Sequence, residues 1–438
     1  MTKHVSNALY GVFDYAAYPA IMLMATPAML RHLGVAAYGV WLVANAAIGA
    51  GSIVSSGFGD AVIQRIAALR STRKSNAIRS VVANMLAINL VLSGVLASLL
   101  FMLVPLAAAR ISQQDPVLQT SCLWSLRIGS LLIVIKSVES VFISAQRAFE
   151  EYARAVQIGV ATRLLTIAAA VALAYRGDGV AAIMAATAVI AAGGMAAQWA
   201  ALRGLGIEVL RPAFDREVLR DLASFGAFSW MQAISGVFFS QADRLVLGVA
   251  IGASAVSYYG VCVQMAQPIH GLTAAGLHFL FPYLSREYAR GDASAMRRPI
   301  LLALSLNVLS AVGLSAMLLI FGNAILRHWM GQAFANFAPS LLPLLAIAFG
   351  LLALNVTGHY ALLALGRVRL VTAFNVEGGV AMLAAMFLLV PRYGVSGAAA
   401  ARLCFGPVTC LLYLPLLRIL FEKPLEASRF ARIAVEEA

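Results

Sequence analysis

The sequence predicts an all-α integral membrane protein with about twelve membrane-spanning helices. Of its 438 residues, 61% are hydrophobic and only 12% are charged, and the mean hydropathy is +0.86. A soluble core cannot bury that much apolar surface. Windows of ~20 mostly apolar residues, long enough to cross a bilayer, recur along the whole chain. The predicted spans are 8–30, 36–60, 81–106, 122–145, 155–175, 179–202, 223–250, 256–284, 300–322, 338–365, 370–390 and 395–420.

The spans fall into two sets of six. The longest connection, residues 203–222, contains charges together with glycine and proline, which are typical of a loop. We therefore predict two six-helix bundles joined by a cytoplasmic linker and followed by a short cytoplasmic tail. The predicted domains are an N-terminal bundle at 1–202, the linker at 203–222, a C-terminal bundle at 223–422 and the tail at 423–438.

A repeated tripeptide supports this doubled architecture. Tyr-Gly-Val occurs at 38–40 and again at 259–261, and an arginine follows 26 residues after each glycine, at Arg65 and Arg286. The two copies therefore share one offset of 221 residues. Because each half has six spans, the halves keep the same orientation, which predicts parallel repeats.

The distribution of Lys and Arg predicts the orientation. If the N-terminus is cytoplasmic, 22 of the 32 basic residues lie on that side and five on the other. This asymmetry places both termini in the cytoplasm. It also assigns the net charge of +13 to membrane insertion and contact with anionic lipid, and not to nucleic-acid binding.

No enzyme motif is recognisable. HExxH, P-loop, GxSxG and CxxC patterns are absent from the sequence, and its four cysteines and six histidines have no metal-binding spacing. We therefore predict no catalysis, metal or cofactor.

Ten ionisable side chains lie in or near the predicted spans. Each costs about 2.5–3.5 kcal/mol to insert, so they need a shared wet interior or a partner. The cations are Arg127, Lys136, Arg163, Arg244 and Arg402, and the acids are Asp14, Asp60, Glu139, Asp243 and Glu377.

The ionisable side chains have different predicted roles. Lys136 and Glu139 are three residues apart, so they share a helix face and can neutralise each other as a structural pair. Arg127 and Arg163 lie near span ends, where a long side chain either snorkels to the interface or lines a cavity. Arg402 lies inside span twelve.

The apolar stretch 225–252 carries Gln241, Asp243 and Arg244 well inside it. They form either a polar packing cluster or part of a transport path. Arg244 and Arg402 are the strongest candidates for a phosphate contact, because a guanidinium fork matches phosphate oxygens.

Several segments carry a family resemblance. They are GFGDAVIQRIA at 57–67, QADR at 241–244, the run from Tyr259 through PYLSREYARGD at 282–292, and GVSGAAAA at 394–401. With twelve spans and short loops, the sequence resembles the polysaccharide-repeat flippases of the multidrug/oligosaccharidyl-lipid/polysaccharide exporter superfamily. The resemblance covers essentially the whole chain, and the family has no strict motif for substrate contact.

The resemblance implies two bundles around a central V-shaped cavity and alternating access. It also implies that an undecaprenyl-diphosphate-linked oligosaccharide moves from the cytoplasmic to the periplasmic leaflet, with membrane lipids and other polysaccharide-assembly proteins as partners. The substrate-binding residues would be Arg127, Lys136, Arg163, Gln241, Arg244 and Arg402. Ion coupling would use Asp14, Asp60, Asp243 and Glu377.

A small-molecule or multidrug antiporter of the same superfamily is the alternative function. Such a protein exports cations and needs a cavity dominated by acids, whereas the intramembrane charges of this sequence are balanced. A membrane-embedded polymerase or acyltransferase is a third alternative. It would need a long external loop or a buried His/Asp constellation, and the sequence offers neither.

Overall fold

The structure, a computed structural model, confirms the all-α membrane fold. It describes residues 21–71, 75–113, 115–207, 211–216, 218, 236, 240–290 and 293–421, and these ranges contain no strand. The helices are α1 (21–33), α2 (Val35–Ser71), α3 (Ser75–Ile111), α4 (Pro116–Ala148), α5 (Tyr152–Tyr175), α6 (Val180–Arg203), α7 (Ala242–Ala250), α8 (Ala253–Leu277), α9 (Leu280–Ala289), α10 (Ala293–Met330), α11 (Gln332–Ala335), α12 (Ala338–Ala364), α13 (Val368–Arg402), α14 (Phe405–Cys410) and α15 (Tyr413–Phe421).

The long helices are those of a multi-pass membrane protein. Within the described residues, seven helical ranges are long and apolar enough to cross a bilayer. The last of them, Val368–Ile419, contains both spans eleven and twelve of the sequence analysis. Its helix α13 is kinked at Gly394, where φ is +58°, and glycine tolerates that conformation. The total of twelve spans stays a prediction.

The chain divides into two compact units. Unit 1 comprises Met1–Gln264 and Val390–Ala398, and unit 2 comprises Met265–Leu389 and Ala399–Ala438. Much of the predicted linker and the start of span seven lie outside the described residues, so the boundary predicted at 203–222 stays a prediction.

Each unit has its own apolar core. In unit 1 the core includes Val62, Met85 and Phe142, which come from α2, α3 and α4 and are at least 95% buried. In unit 2 it includes Ile300 and Leu362, from α10 and α12. An interhelical hydrogen bond accompanies that core, as the Nδ2 of Asn307 donates to the hydroxyl of Thr357 at 2.9 Å.

Glycines let α2 and α4 approach closely in unit 1. A Cβ on Gly51 would lie 2.7 Å from the side chain of Ile133, and one on Gly59 would lie 3.2 Å from the hydroxyl of Ser144. Small residues at such crossings are typical of membrane helices. The spacing of the glycines in span two therefore places α2 against the face of α4 that carries Lys136.

The Tyr-Gly-Val tripeptides at 38–40 and 259–261 also lie in unit 1. Tyr38 and Tyr259 are fully buried, and a Cβ on Gly39 would overlap the carbonyl oxygen of Ala253 at the start of α8. The Nε2 of Gln264 donates to the hydroxyl of Tyr38 at 3.2 Å. The first repeat motif thus packs against α8, the helix that carries the second.

Candidate functional site

Unit 1 contains a cavity of about 300 Å³ bounded by α2, α4 and α5. The described residues that line it all belong to these three helices. The lining residues are Ile48, Gly49, Gly51, Ile133, Lys136, Ser137, Glu139, Ser140, Ile143, Gly159 and Arg163.

Helix α4 supplies more of the lining residues than α2 or α5 does. Its start is fixed by Asp115, whose Oδ1 accepts hydrogen bonds from the backbone N–H groups of Val117 and Leu118 at 3.0 and 3.2 Å. Asp115 is a favoured N-cap residue, and Pro116 follows at the first helical position. Along the helix, Ile133, Ser137, Ser140 and Ile143 follow one another at spacings of three or four residues, which keeps neighbouring members on one side of the helix.

The predicted ion pair lies in this cavity. The Nζ of Lys136 donates to the Oε2 of Glu139 at 2.7 Å, and their side chains are 43% and 5% exposed. The pair predicted from their spacing is therefore confirmed. The two members of the pair differ in exposure. The carboxylate of Glu139 is buried, so its negative charge depends on the ammonium group of Lys136 for neutralisation, whereas that ammonium group still reaches open space.

Helix α5 adds a second cation opposite this pair. Gly159 and Arg163 are four residues apart and both line the cavity, as spacing on one helix face requires. Arg163 is an exposed residue that lines the wall. Among the side chains that the structure describes, the lining thus carries two cations and one carboxylate.

Two serine hydroxyls complete the polar lining. The Oγ of Ser140 donates to the carbonyl oxygen of Ser137 at 2.7 Å. Ser137 is only 2% exposed, and its buried Oγ nevertheless has no hydrogen-bond partner. The sequence analysis missed both serines. The available signal was the run KSVES at 136–140, in which polar residues interrupt an apolar span.

Gln241 lies beside this cavity. A Cβ on the cavity-lining Gly49 would lie 2.8 Å from the side-chain amide of Gln241, so the two residues are in contact. The Oε1 atom of Gln241 is buried and has no hydrogen-bond partner. Its neighbours Asp243 and Arg244 sit in the first turn of α7.

Asp243 is the most buried of the predicted acids that the structure describes. It is fully buried, its Oδ2 accepts from the hydroxyl of Tyr259 at 2.8 Å, and its Oδ1 accepts from the backbone N–H of Arg244 at 2.8 Å. Arg244 is half-buried and its Nε has no hydrogen-bond partner. The carboxylate of Asp243 is therefore held by α8.

Arg127 is placed away from the cavity. Its guanidinium carbon lies 4.9 Å from the ring centroid of Phe101 and 5.5 Å from that of Trp124, distances suited to cation–π contact. It does not line the cavity that Lys136 and Arg163 share. A substrate contact for Arg127 stays a prediction.

Arg402 lies in unit 2. It is 3% exposed, and its guanidinium carbon lies 4.6 Å from the ring centroid of Phe349. His359 and Arg402 are both electrostatic neighbours of His270. The sequence analysis identified Arg402 but not this cluster, because helices α8, α12 and α13 have to pack together before the three residues become neighbours.

The other predicted ion-coupling residues stay predictions. Asp14 lies outside the described residues, and so does the side chain of Asp60. Glu377 is exposed on α13. Within the described part of the chain, no group of three His, Cys, Asp or Glu side chains is arranged to hold a metal ion.

Comparison of the sequence with known proteins gives a family match over more than half of the chain. The profile of a family described as polysaccharide biosynthesis protein matches residues 28–339. A Shigella flexneri protein named as an O-antigen transporter is 24% identical over 186 residues, which are 42% of this chain and 44% of that protein. The chain spans less than half of the length of the curated relatives that it matches.

Comparison of the structure with solved structures gives matches over nearly the whole chain. The lipid II flippase MurJ in an inward closed conformation matches with a TM-score of 0.72 at 12% identity, covering 94% of this chain and 87% of that one. An inward-facing multidrug resistance MATE family transporter of the MOP superfamily matches with a TM-score of 0.68 at 16% identity, covering 93% of both chains. At these identities the matches show the fold, which is the fold that the sequence predicted.

Proposed function

The chain belongs to the polysaccharide biosynthesis protein family, and from this premise we propose that it is a flippase for a lipid-linked oligosaccharide. The substrate in this proposal is an undecaprenyl-diphosphate-linked repeat unit, moved from the cytoplasmic to the periplasmic leaflet of the bacterial inner membrane. Both termini lie in the cytoplasm. Membrane lipids and other polysaccharide-assembly proteins are its partners.

The observation that carries the proposal is the polar cavity among apolar helices of unit 1. Its lining places two cations, Lys136 and Arg163, beside one carboxylate. Polar and charged groups are expensive at such depth and mark substrate pathways. An anionic headgroup with hydrophilic sugars cannot cross hydrocarbon unaided, and a cavity of this polarity replaces the water that the headgroup would lose.

The proposed cycle uses alternating access. The polar lining around Lys136 and Arg163 receives part of the hydrophilic headgroup in unit 1, while the prenyl tail stays in the lipid because it is as apolar as the bilayer. Arg402, in unit 2, contributes a second buried cation that suits a phosphate group, since its guanidinium fork matches phosphate oxygens. Gln241, Arg244 and Arg127 are proposed as further contacts along the path.

Ion coupling is assigned in this proposal to Asp14, Asp60, Asp243 and Glu377. Asp243 is the best placed of the side chains that the structure describes, because it is fully buried and bound by the hydroxyl of Tyr259. A buried carboxylate is a suitable site for a proton or a sodium ion, since its protonation or ion binding removes an expensive charge.

A small-molecule antiporter is the alternative, and it fits the lining of the cavity less well. A site for organic cations needs a surplus of acids, whereas the described lining residues of this cavity have a surplus of one cation. The two functions are distinguished by a strain that lacks the protein. If the protein is a flippase, that strain loses its surface polysaccharide. If the protein is an antiporter, the strain becomes more sensitive to drugs and keeps its surface polysaccharide.

The proposal is tested by complementing that strain with variants at equal protein level. Arg163→Ala and Arg402→Ala are each expected to lower surface polysaccharide about tenfold or more, because each removes charge-assisted hydrogen bonds worth about 1.5–3 kcal/mol. The matched control is Arg176→Ala, which removes a 76%-exposed arginine just beyond the end of the same helix as Arg163. Unchanged polysaccharide in both test variants would contradict the proposed binding role.

A further inference from the structure

We propose that the cavity of unit 1 receives a sugar ring of the substrate and not its diphosphate. This inference rests on the proposed function and specifies which part of the substrate the cavity recognises. Four features of the lining carry it: volume, charge, an unpartnered hydroxyl and a glycine wall.

The volume fits one small unit of the substrate. A cavity of about 300 Å³ lies at the lower end of the range, about 300–1,000 Å³, that binds small molecules. A complete oligosaccharide repeat with its lipid diphosphate is far larger than a typical small-molecule ligand. The cavity therefore holds a fragment, and the remaining question is which one.

The charge of the lining disfavours the diphosphate. Glu139 contributes a carboxylate that is 5% exposed and already depends on Lys136, 2.7 Å away, for its compensation. Because Lys136 is already paired with Glu139, a diphosphate in the same cavity would meet one further cation among the described lining residues, Arg163. It would also place more than one negative charge close to the carboxylate, and like charges repel strongly when they are poorly solvated. Sugar hydroxyl groups, in contrast, donate hydrogen bonds to a carboxylate without adding charge.

Ser137 adds a neutral polar group to this wall. The residue lines the cavity and is 2% exposed, and its hydroxyl is buried with no hydrogen-bond partner in the protein. Buried polar groups in proteins are nearly always paired, so each exception requires a reason. A hydroxyl both donates and accepts, and a sugar hydroxyl offers the complementary pair of functions. Ser140 lines the same face one turn further along α4.

Glycines form the walls that a ring would contact. Gly49 and Gly51 of α2 and Gly159 of α5 line the cavity, and a Cβ added to Gly159 would meet no other atom within 4 Å. A larger side chain at position 159 would therefore extend into open space without displacing the protein. This makes Gly159 the position at which the cavity can be filled selectively.

The first test measures binding of methyl glycosides to the full chain in lipid nanodiscs by saturation-transfer NMR. The probes are the methyl glycosides of glucose, galactose, mannose, N-acetylglucosamine and glucuronic acid, with inorganic diphosphate as the competing probe. At least one glycoside is expected to bind, and the diphosphate is expected not to displace it. Gly159→Leu should abolish the signal, and the matched control Gly193→Leu, at an exposed helical glycine that also has open space around it, should retain it.

The second test uses Ser137→Ala. Removing one neutral hydrogen bond is expected to weaken glycoside binding about three- to tenfold. A purely structural role for Ser137 would instead lower the thermal midpoint. We expect that midpoint to stay the same or rise, because the hydroxyl has no partner to lose.

The inference is overturned if no glycoside binds, if Gly159→Leu leaves binding unchanged, or if inorganic diphosphate occupies the cavity in a manner that Gly159→Leu abolishes. Its failure is separable from failure of the proposed function. A chain that flips lipid-linked oligosaccharide but binds no glycoside here would lose only the assignment of this cavity. A strain that lacks the protein and still exports polysaccharide would refute the flippase itself.

Discussion

The ion pair in the cavity of unit 1 predicts an asymmetric response to mutation. Lys136→Met leaves the carboxylate of Glu139, which is 5% exposed, without its partner at 2.7 Å. Removing one member of a buried pair costs about 3–5 kcal/mol, but Lys136 is 43% exposed, so we expect a smaller loss of about 1–3 kcal/mol. Glu139→Gln leaves a lysine that reaches open space, and we expect that variant to lose less than about 1 kcal/mol.

The double variant Lys136→Met/Glu139→Gln separates stability from function. This variant leaves no unpaired charge from the pair in the cavity. Its free energy of unfolding in detergent should therefore return to within about 1 kcal/mol of that of the original protein. Its surface polysaccharide should remain low, because two of the groups that we propose as substrate contacts are absent. Equal destabilisation by the two single variants would refute the asymmetry, and full polysaccharide production by the stable double variant would refute a role in binding.

Two further predictions concern packing in unit 1. Gly39→Leu should destabilise the protein by about 1–3 kcal/mol, because a Cβ at position 39 overlaps the carbonyl oxygen of Ala253. Gly94→Leu is the control, since a Cβ at position 94 would meet no atom within 4 Å. Equal unfolding midpoints for the two variants would contradict this prediction. Gln198→Leu should lower the free energy of unfolding by about 0.6–2 kcal/mol, because the Oε1 of Gln198 accepts a hydrogen bond from Gln146 at 2.8 Å in a fully buried site. An unchanged unfolding midpoint in the same assay would show that this bond is not stabilising.

Much of the fold could be predicted because composition and span length determine it. The helical character of the chain follows from its apolar runs, and the break between spans eleven and twelve coincides with the positive φ of Gly394. The seven ranges that pass as spans among the described residues do not fix the total, so the prediction of twelve rests on the sequence.

The candidate site could be predicted only where its residues share a helix. Lys136 and Glu139 were paired from their spacing, and the contact between Arg127 and Trp124 also joins residues three apart on one helix. The contact of Arg127 with Phe101 needs α3 beside α4, and Gly159 and Ser137 line one cavity only after α5 packs against α4. Periodicity along one helix does not determine such pairings, and packing between helices does.

The most direct test of the central claim is the leaflet distribution of the lipid-linked oligosaccharide in cells with and without this protein. Intact spheroplasts are treated with a membrane-impermeant glycosidase, and the protected fraction is measured after lipid extraction. In cells that lack the protein, we expect the lipid-linked repeat unit to accumulate and to be protected, because it remains in the cytoplasmic leaflet. A lipid-linked pool that stays small and accessible from outside in those cells would contradict the account.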